Sequence, residues 1–110
     1  MEIIIKQQTI SLDKEGFLKD LSQWNNAVAE QLAENEGITL TEEHWAIIEL
    51  LQRFYREFEL SPAMRPLVKY VGEQLGKEKG KSIYLLSLFP GSPAKLAAKI
   101  AGLPKPDNCL

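Results

Sequence analysis

One residue in this 110-residue chain has strong nucleophilic chemistry and occurs once: Cys109, the penultimate position. Free cysteines are usually buried as small hydrophobes. Cys109 instead ends the run Leu103-Pro104-Lys105-Pro106-Asp107-Asn108-Cys109-Leu110, where two prolines two apart forbid helix and favour extended backbone. An exposed thiol there is an oxidation hazard unless it is used; on composition alone the competing reading, a plain interaction module with a tail whose cysteine does nothing, stands equally. The chemistry open to it is sulfur transfer: its thiolate attacks the outer sulfur of a donor persulfide, the donor leaves as a thiolate, and Cys109 holds the extra sulfur. A single cysteine suits such storage, because no neighbour in the chain can expel the sulfur as a disulfide. Cys109 lies seven positions after Gly102, a reach of roughly 20 Å.

The local charge opposes activation of that thiol. The carboxylates of Asp107 and of the Leu110 terminus lie close in sequence and disfavour the thiolate, and Lys105 offsets them only in part. Docking must therefore supply activation, on a partner or on this chain's own cations. Arg65 and Lys69, four apart on one helix face, are the candidates; the competing reading is a solvated face.

Other chemistry is sparse. One His and one Cys exclude a zinc set of the usual kind within the chain, and no cofactor is implied. The glycines are scattered rather than gathered in a phosphate loop, and no serine sits in a nucleophile elbow. His44, in the first turn of a helix beside Trp45, reads as structural. A prenylation signal would need the cysteine fourth from the end.

The elements that must carry Cys109 read as a mainly α (α+β) domain: a small helical bundle over residues 1–102 with an N-terminal β-hairpin, followed by a mobile arm over 103–110. Residues 2–6 and 8–12 read as strands about a tight turn, with Asp13-Lys14-Glu15-Gly16 as the next turn. Asn25 or Asn26 caps a helix that Gly37 stops; Thr41 caps the next, with Glu42 and Glu43 favoured in its first turn. Ile47, Leu51, Phe54 and Phe58 form its apolar face. Ser61-Pro62 reads as cap and first helical residue of a third helix, with Met64, Leu67, Val68, Val71 and Leu75 as its stripe and Gly76 as its stop. Residues 81–89 read as a short helix, with a strand as the alternative. Ser92-Pro93 starts the last one, which Gly102 ends. The arm shows no apolar periodicity and is expected to add little to folding.

Apolar residues at 45% support a core, and charged residues at 25% are ordinary. No stretch reaches the length of a membrane span, and the first residues lack the pattern of a signal peptide, so a cytoplasmic location is expected. The net charge of −2 divides unevenly. Residues 1–60 carry five cations against twelve acids; residues 61–110 carry Arg65 and seven lysines against Glu73, Glu78 and Asp107. A basic half suits RNA, an acidic partner or an anionic sulfur species, though solvated helix faces explain it equally well. The second and third helices, joined by a short turn, also admit a helix-turn-helix nucleic-acid-binding regulator. Against that, Met64, Arg65 and Pro66 supply little base-reading chemistry and the preceding helix is rich in Glu.

Several stretches resemble the DsrC/TusE family of small sulfur carriers. They are Ala33-Glu34-Asn35-Glu36-Gly37-Ile38, Glu43-His44-Trp45, Phe54-Tyr55-Arg56-Glu57-Phe58 and Ser61-Pro62-Ala63-Met64-Arg65 with Leu67-Val68-Lys69. The specific signature is Pro93-Ala94-Lys95 with Lys99-Ile100-Ala101-Gly102-Leu103-Pro104-Lys105-Pro106, followed by the penultimate Cys109. The DsrC branch carries a second cysteine eleven positions before the last, where this chain has Ala98, so the resemblance is to the TusE branch. A further departure is Ser92, where the family more often has glycine before the proline. The resemblance implies a sulfurtransferase acting as a persulfide carrier in 2-thiolation of the tRNA wobble uridine. Its expected partners are a TusBCD-like complex that donates sulfur through TusD and an MnmA-like tRNA thiolase that receives it, with tRNA met at most indirectly.

Overall fold

The computed structural model describes residues 1–107, so Cys109 lies outside the described residues. Strands β1 (Glu2–Ile5) and β2 (Gln8–Ser11) pair antiparallel with Ile3 opposite Ile10. Lys6 and Gln7 both have positive φ, 49° and 70°. That is the two-residue turn whose twist matches a hairpin. Ile3 and Ile10 face inward while Ile4 is exposed, so the ribbon is covered on one side only. The chain then turns at Asp13, whose carboxylate accepts from the amides of Glu15 and Phe17. A single 3-10 turn at Leu21–Gln23 leads to the helices.

Helix α1 (Asn26–Asn35) is capped by Asn25, whose side chain accepts from the Val28 amide at 2.9 Å. Helix α2 (Glu42–Phe58) opens on a capping box closed by Thr41 and His44. The Thr41 N–H donates to His44 Nδ1 at 3.1 Å, so the proton sits on Nε2, which donates to the Leu88 carbonyl at 2.8 Å. His44 is thereby a buried tie between the start of α2 and the end of α4 (Ser82–Leu88), in agreement with a structural role. Ile47, Ile48, Leu50 and Leu51 form the inner face of α2. Phe58, expected on that face, is half exposed; its ring packs on Phe54, which meets Tyr70 edge-on.

Helix α3 is Met64–Leu75, two residues later than its cap signature suggested, with Ala63 as N-cap and no side-chain cap. The Ser61 hydroxyl is turned elsewhere, onto the Pro104 carbonyl. Pro66 falls in the first turn, where its missing N–H costs no helix bond. Helix α5 (Pro93–Ile100) packs against all four other helices. Its Ala94, Ala97, Ala98 and Ile100 are buried, and the small side chains allow that close approach. The fold is therefore the expected helical bundle with an N-terminal hairpin.

Residues 103–106 have no regular secondary structure, as the prolines dictate, but they do not leave the body at once. Leu103 is 3% exposed and belongs to the core, and Pro106 is buried. The expectation that the whole segment from Leu103 adds little to folding meets two buried residues here, Leu103 and Pro106, while Pro104 and Lys105 are exposed. The prolines hid an apolar contact that shows no periodicity.

Candidate functional site: the root of the cysteine arm

The arm begins where α5 ends, and that end is fixed by a Schellman motif. The Gly102 amide donates to the Lys99 carbonyl at 3.1 Å and the Leu103 amide to the Ala98 carbonyl at 2.9 Å. The remaining carbonyls of the last turn find side chains: Trp24 Nε1 donates to Ile100 at 2.9 Å, and Gln52 Nε2 donates to Ala101. Trp24 lies against Gly102 itself. α5 thus ends against residues of two other parts of the chain, and the direction in which it releases the arm is set by packing.

Beyond that point two contacts flank the arm. Ser61 Oγ, in the α2–α3 connection, donates to the Pro104 carbonyl at 2.6 Å. Lys105 Nζ donates to Glu15 Oε1 at 3.1 Å, and Lys95 of α5 approaches the same oxygen at 3.5 Å. The Lys105 ammonium, through its hydrogen bond first and with Lys95 adding to it, holds the Glu15 carboxyl below its ordinary value against the opposing effect of desolvation. Lys99 reaches Glu36 at 3.1 Å and lies over the Phe17 ring.

Of the residues singled out in the sequence, Lys105 is at the arm root with its charge paired to Glu15. Arg65 and Lys69 are exposed on α3, and among the described residues no hydrogen bond or ion pair joins them to residues 103–107. Cys109 lies outside the described residues. Ala98 is fully buried within α5. Glu15, Ser61, Trp24 and Gln52 were not singled out: a turn acid and an apparent helix cap carry no local mark of a contact made at the far end of the chain. Among the described residues no cluster of His, Cys, Asp and Glu has the makings of a metal site, and none of their buried side-chain polar atoms lacks a partner.

Residues 4–110 match the family model described as DsrC like protein. The chain belongs to that family. It is 51% identical over 108 residues to sulfurtransferase TusE of Escherichia coli K12, covering 98% of this chain and 99% of the relative. The TusE of Salmonella typhimurium is equally similar. Among solved structures, the NMR structure of Allochromatium vinosum DsrC superposes with a TM-score of 0.90 at 47% identity, with both chains fully covered. The oxidized γ-subunit of dissimilatory sulfite reductase (DsrC) from Archaeoglobus fulgidus gives 0.88 at 39%, again with full coverage of both chains. The hairpin, the five helices and the arm root therefore belong to the family frame.

Proposed function

We propose that this protein is a sulfurtransferase that carries sulfur as a persulfide on Cys109. The observation behind it is the placement of the sole cysteine: four residues past a pinned arm root, in a chain half identical along nearly its whole length to proteins named sulfurtransferase TusE. The Cys109 thiolate attacks the outer sulfur of a donor persulfide, the donor's inner sulfur departs as a thiolate with the electron pair of the broken S–S bond, and Cys109 becomes the persulfide. No net oxidation occurs, and no cofactor is needed. The acceptor's chemistry then removes the outer sulfur and restores the thiol.

The finer assignment follows the TusE-type resemblance. Sulfur comes from a TusBCD-like complex at its TusD subunit and passes to an MnmA-like thiolase for 2-thiolation of the tRNA wobble uridine, in the cytoplasm. Among the described residues no helix is long and apolar enough to cross a membrane. The regulator reading has no comparable support, since α3 opens with Met64, Arg65 and Pro66.

The test is direct. Incubation with glutathione persulfide followed by intact-mass and peptide analysis should place one added sulfur atom on Cys109. The Cys109→Ser protein should fold normally, gain no sulfur and fail to support tRNA thiolation. Thiolation sustained by that variant would refute the assignment.

A further inference from the structure

A cleft of about 450 Å³ opens beside the end of α5, between the segment that enters α1 and the side of α2. Both tryptophans of the chain, Trp24 and Trp45, line it, together with Ile48, Glu49, Gln52 and Arg56 of α2. The α2 residues recur at helical spacing, so they form one stripe that runs about 16 Å from Trp45 to Arg56 in the last turn. The wall formed by Trp24 is held in place. Its Nε1 donates to the Ile100 carbonyl at 2.9 Å, its ring lies against the Gly102 position, and Gln52 donates to the Ala101 carbonyl. The cleft thus shares residues with the arm root, and its shape is set before any partner arrives. Its polar groups are not balanced from within. Glu49 has Arg53 at 3.9 Å, whereas among the described residues Arg56 has no ion pair or hydrogen bond and the Trp45 indole N–H has no acceptor. Two indoles and an unpaired guanidinium in one concave surface are the residue types that dominate the energy of protein interfaces.

We propose that this cleft docks the body of the protein that donates sulfur to Cys109, through an apolar side chain laid against the two indoles and a carboxylate paired with Arg56. This inference deepens the persulfide-carrier reading above and rests on it. Cys109 is only three positions beyond the buried Pro106, so a protein that exchanges sulfur with it must also cover the surface around the arm root. The cleft is continuous with that surface. The charge of α2 favours the donor over the acceptor as its occupant. Glu42, Glu43, Glu49 and Glu57 are exposed along the helix and repel phosphate, which opposes a thiolase loaded with tRNA and is indifferent to a donor that carries no nucleic acid.

The experiment titrates a TusBCD-type complex into the Cys109→Ser protein by calorimetry, so that binding is read without transfer. Arg56→Glu in that background should weaken binding by about tenfold, and Trp45→Ala by about 30-fold. Added salt should narrow the gap between parent and Arg56→Glu. Lys77→Glu makes the same charge change in the exposed loop after α3 and should bind like the parent. Arg56 is exposed, so Arg56→Glu should keep the parent's circular dichroism and decides the question even if Trp45→Ala does not fold. Labelling with 5-fluorotryptophan reports on the cleft alone, and both fluorine resonances should shift on binding. Absent binding, equal affinities of parent and Arg56→Glu, or unshifted resonances in the complex would overturn the docking assignment. A loss confined to an MnmA-type thiolase with tRNA would give the cleft to the acceptor and overturn it equally. Loading of the parent's Cys109 from glutathione persulfide keeps the two readings apart: if it succeeds while docking fails, the carrier stands without this cleft, and if it fails, the carrier reading falls and this inference with it.

Discussion

Gly102 holds two constraints in one residue. Its φ is +74°, a conformation that costs an L residue about 1–2 kcal/mol, and a Cβ built there would lie 2.2 Å from the Trp24 ring. Gly37 has the same φ of +74° at the end of α1, but nothing lies within 4 Å of its Cβ position. The pair separates backbone strain from steric conflict. Gly37→Ala should lower unfolding free energy by about 1 kcal/mol, and Gly102→Ala by clearly more, about 2–4 kcal/mol, because Trp24 must also leave the Ile100 carbonyl. Urea denaturation of both proteins checks this, and equal losses would mean that the Trp24 contact carries no weight. The thiol itself poses a second question at this scale. Arg65 and Lys69 show no tie to residues 103–107, and the Lys105 charge is paired with Glu15. Activation from within this chain is therefore not expected. The pH dependence of iodoacetamide alkylation at Cys109 should be the same in the parent and in an Arg65→Ala, Lys69→Ala double variant. An acidic thiol in the parent that reverts in the variant would make the α3 face part of the site.

The arm is two elements in one, a root that packs and a tip that carries the cysteine. Leu103 is buried in the core, its amide closes the Schellman motif, and the next carbonyl accepts from Ser61. Deleting residues 103–110 should cost about 3 kcal/mol, from a buried leucine side chain and two hydrogen bonds. Deleting 107–110 should stay within about 0.5 kcal/mol, because Asp107 is exposed. Denaturant midpoints of the two truncations decide it, and a stable 1–102 protein would return the whole arm to the role of a tether. The same contrast explains what was legible in the sequence. The hairpin turn, the Asn25 and Thr41 caps and the stops at Gly37, Gly76 and Gly102 could be read because each is decided within a few residues. The start of α3 was misplaced because Ser61 answers to Pro104, 43 positions away. Leu103 looked like part of a free tail because one buried leucine between prolines makes no period. Cys109 stood out by being single, while Glu15 and Ser61 became visible only when the chain ends were brought together.

Over the whole molecule, α5 is the shared wall of the bundle, and lysines along it and just beyond it tie the N-terminal third to the C-terminal end. Lys99 reaches Glu36 after α1, while Lys95 and Lys105 converge on Glu15 after the hairpin. Among the described residues, three carboxylates are held below their ordinary values in the fold. Lys105 does this for Glu15, the Ser22 hydroxyl and amide for Asp20, and for Glu43 its own backbone amide at the start of α2 together with Thr41. A carboxylate with a depressed folded pKa binds fewer protons in the folded state than in the unfolded one. Its stabilisation is therefore complete above the unfolded value, near pH 4–4.5, and disappears as pH falls through the folded value. The protein should accordingly lose stability on acidification below about pH 4.5. Glu15→Gln isolates one of the three groups. It removes the charge that Lys95 and Lys105 share, so its urea midpoint should lie slightly below the parent's at pH 7. As pH falls through the lowered folded value of Glu15 and the parent's own carboxylate is protonated, that difference should vanish. The shift at neutral pH is small because all three carboxylates face water and salt screens them, so the measurement belongs at low ionic strength. A gap that persists undiminished at low pH would show that Glu15 acts through its shape and hydrogen bonding and that its charge contributes nothing to the tie between hairpin and arm.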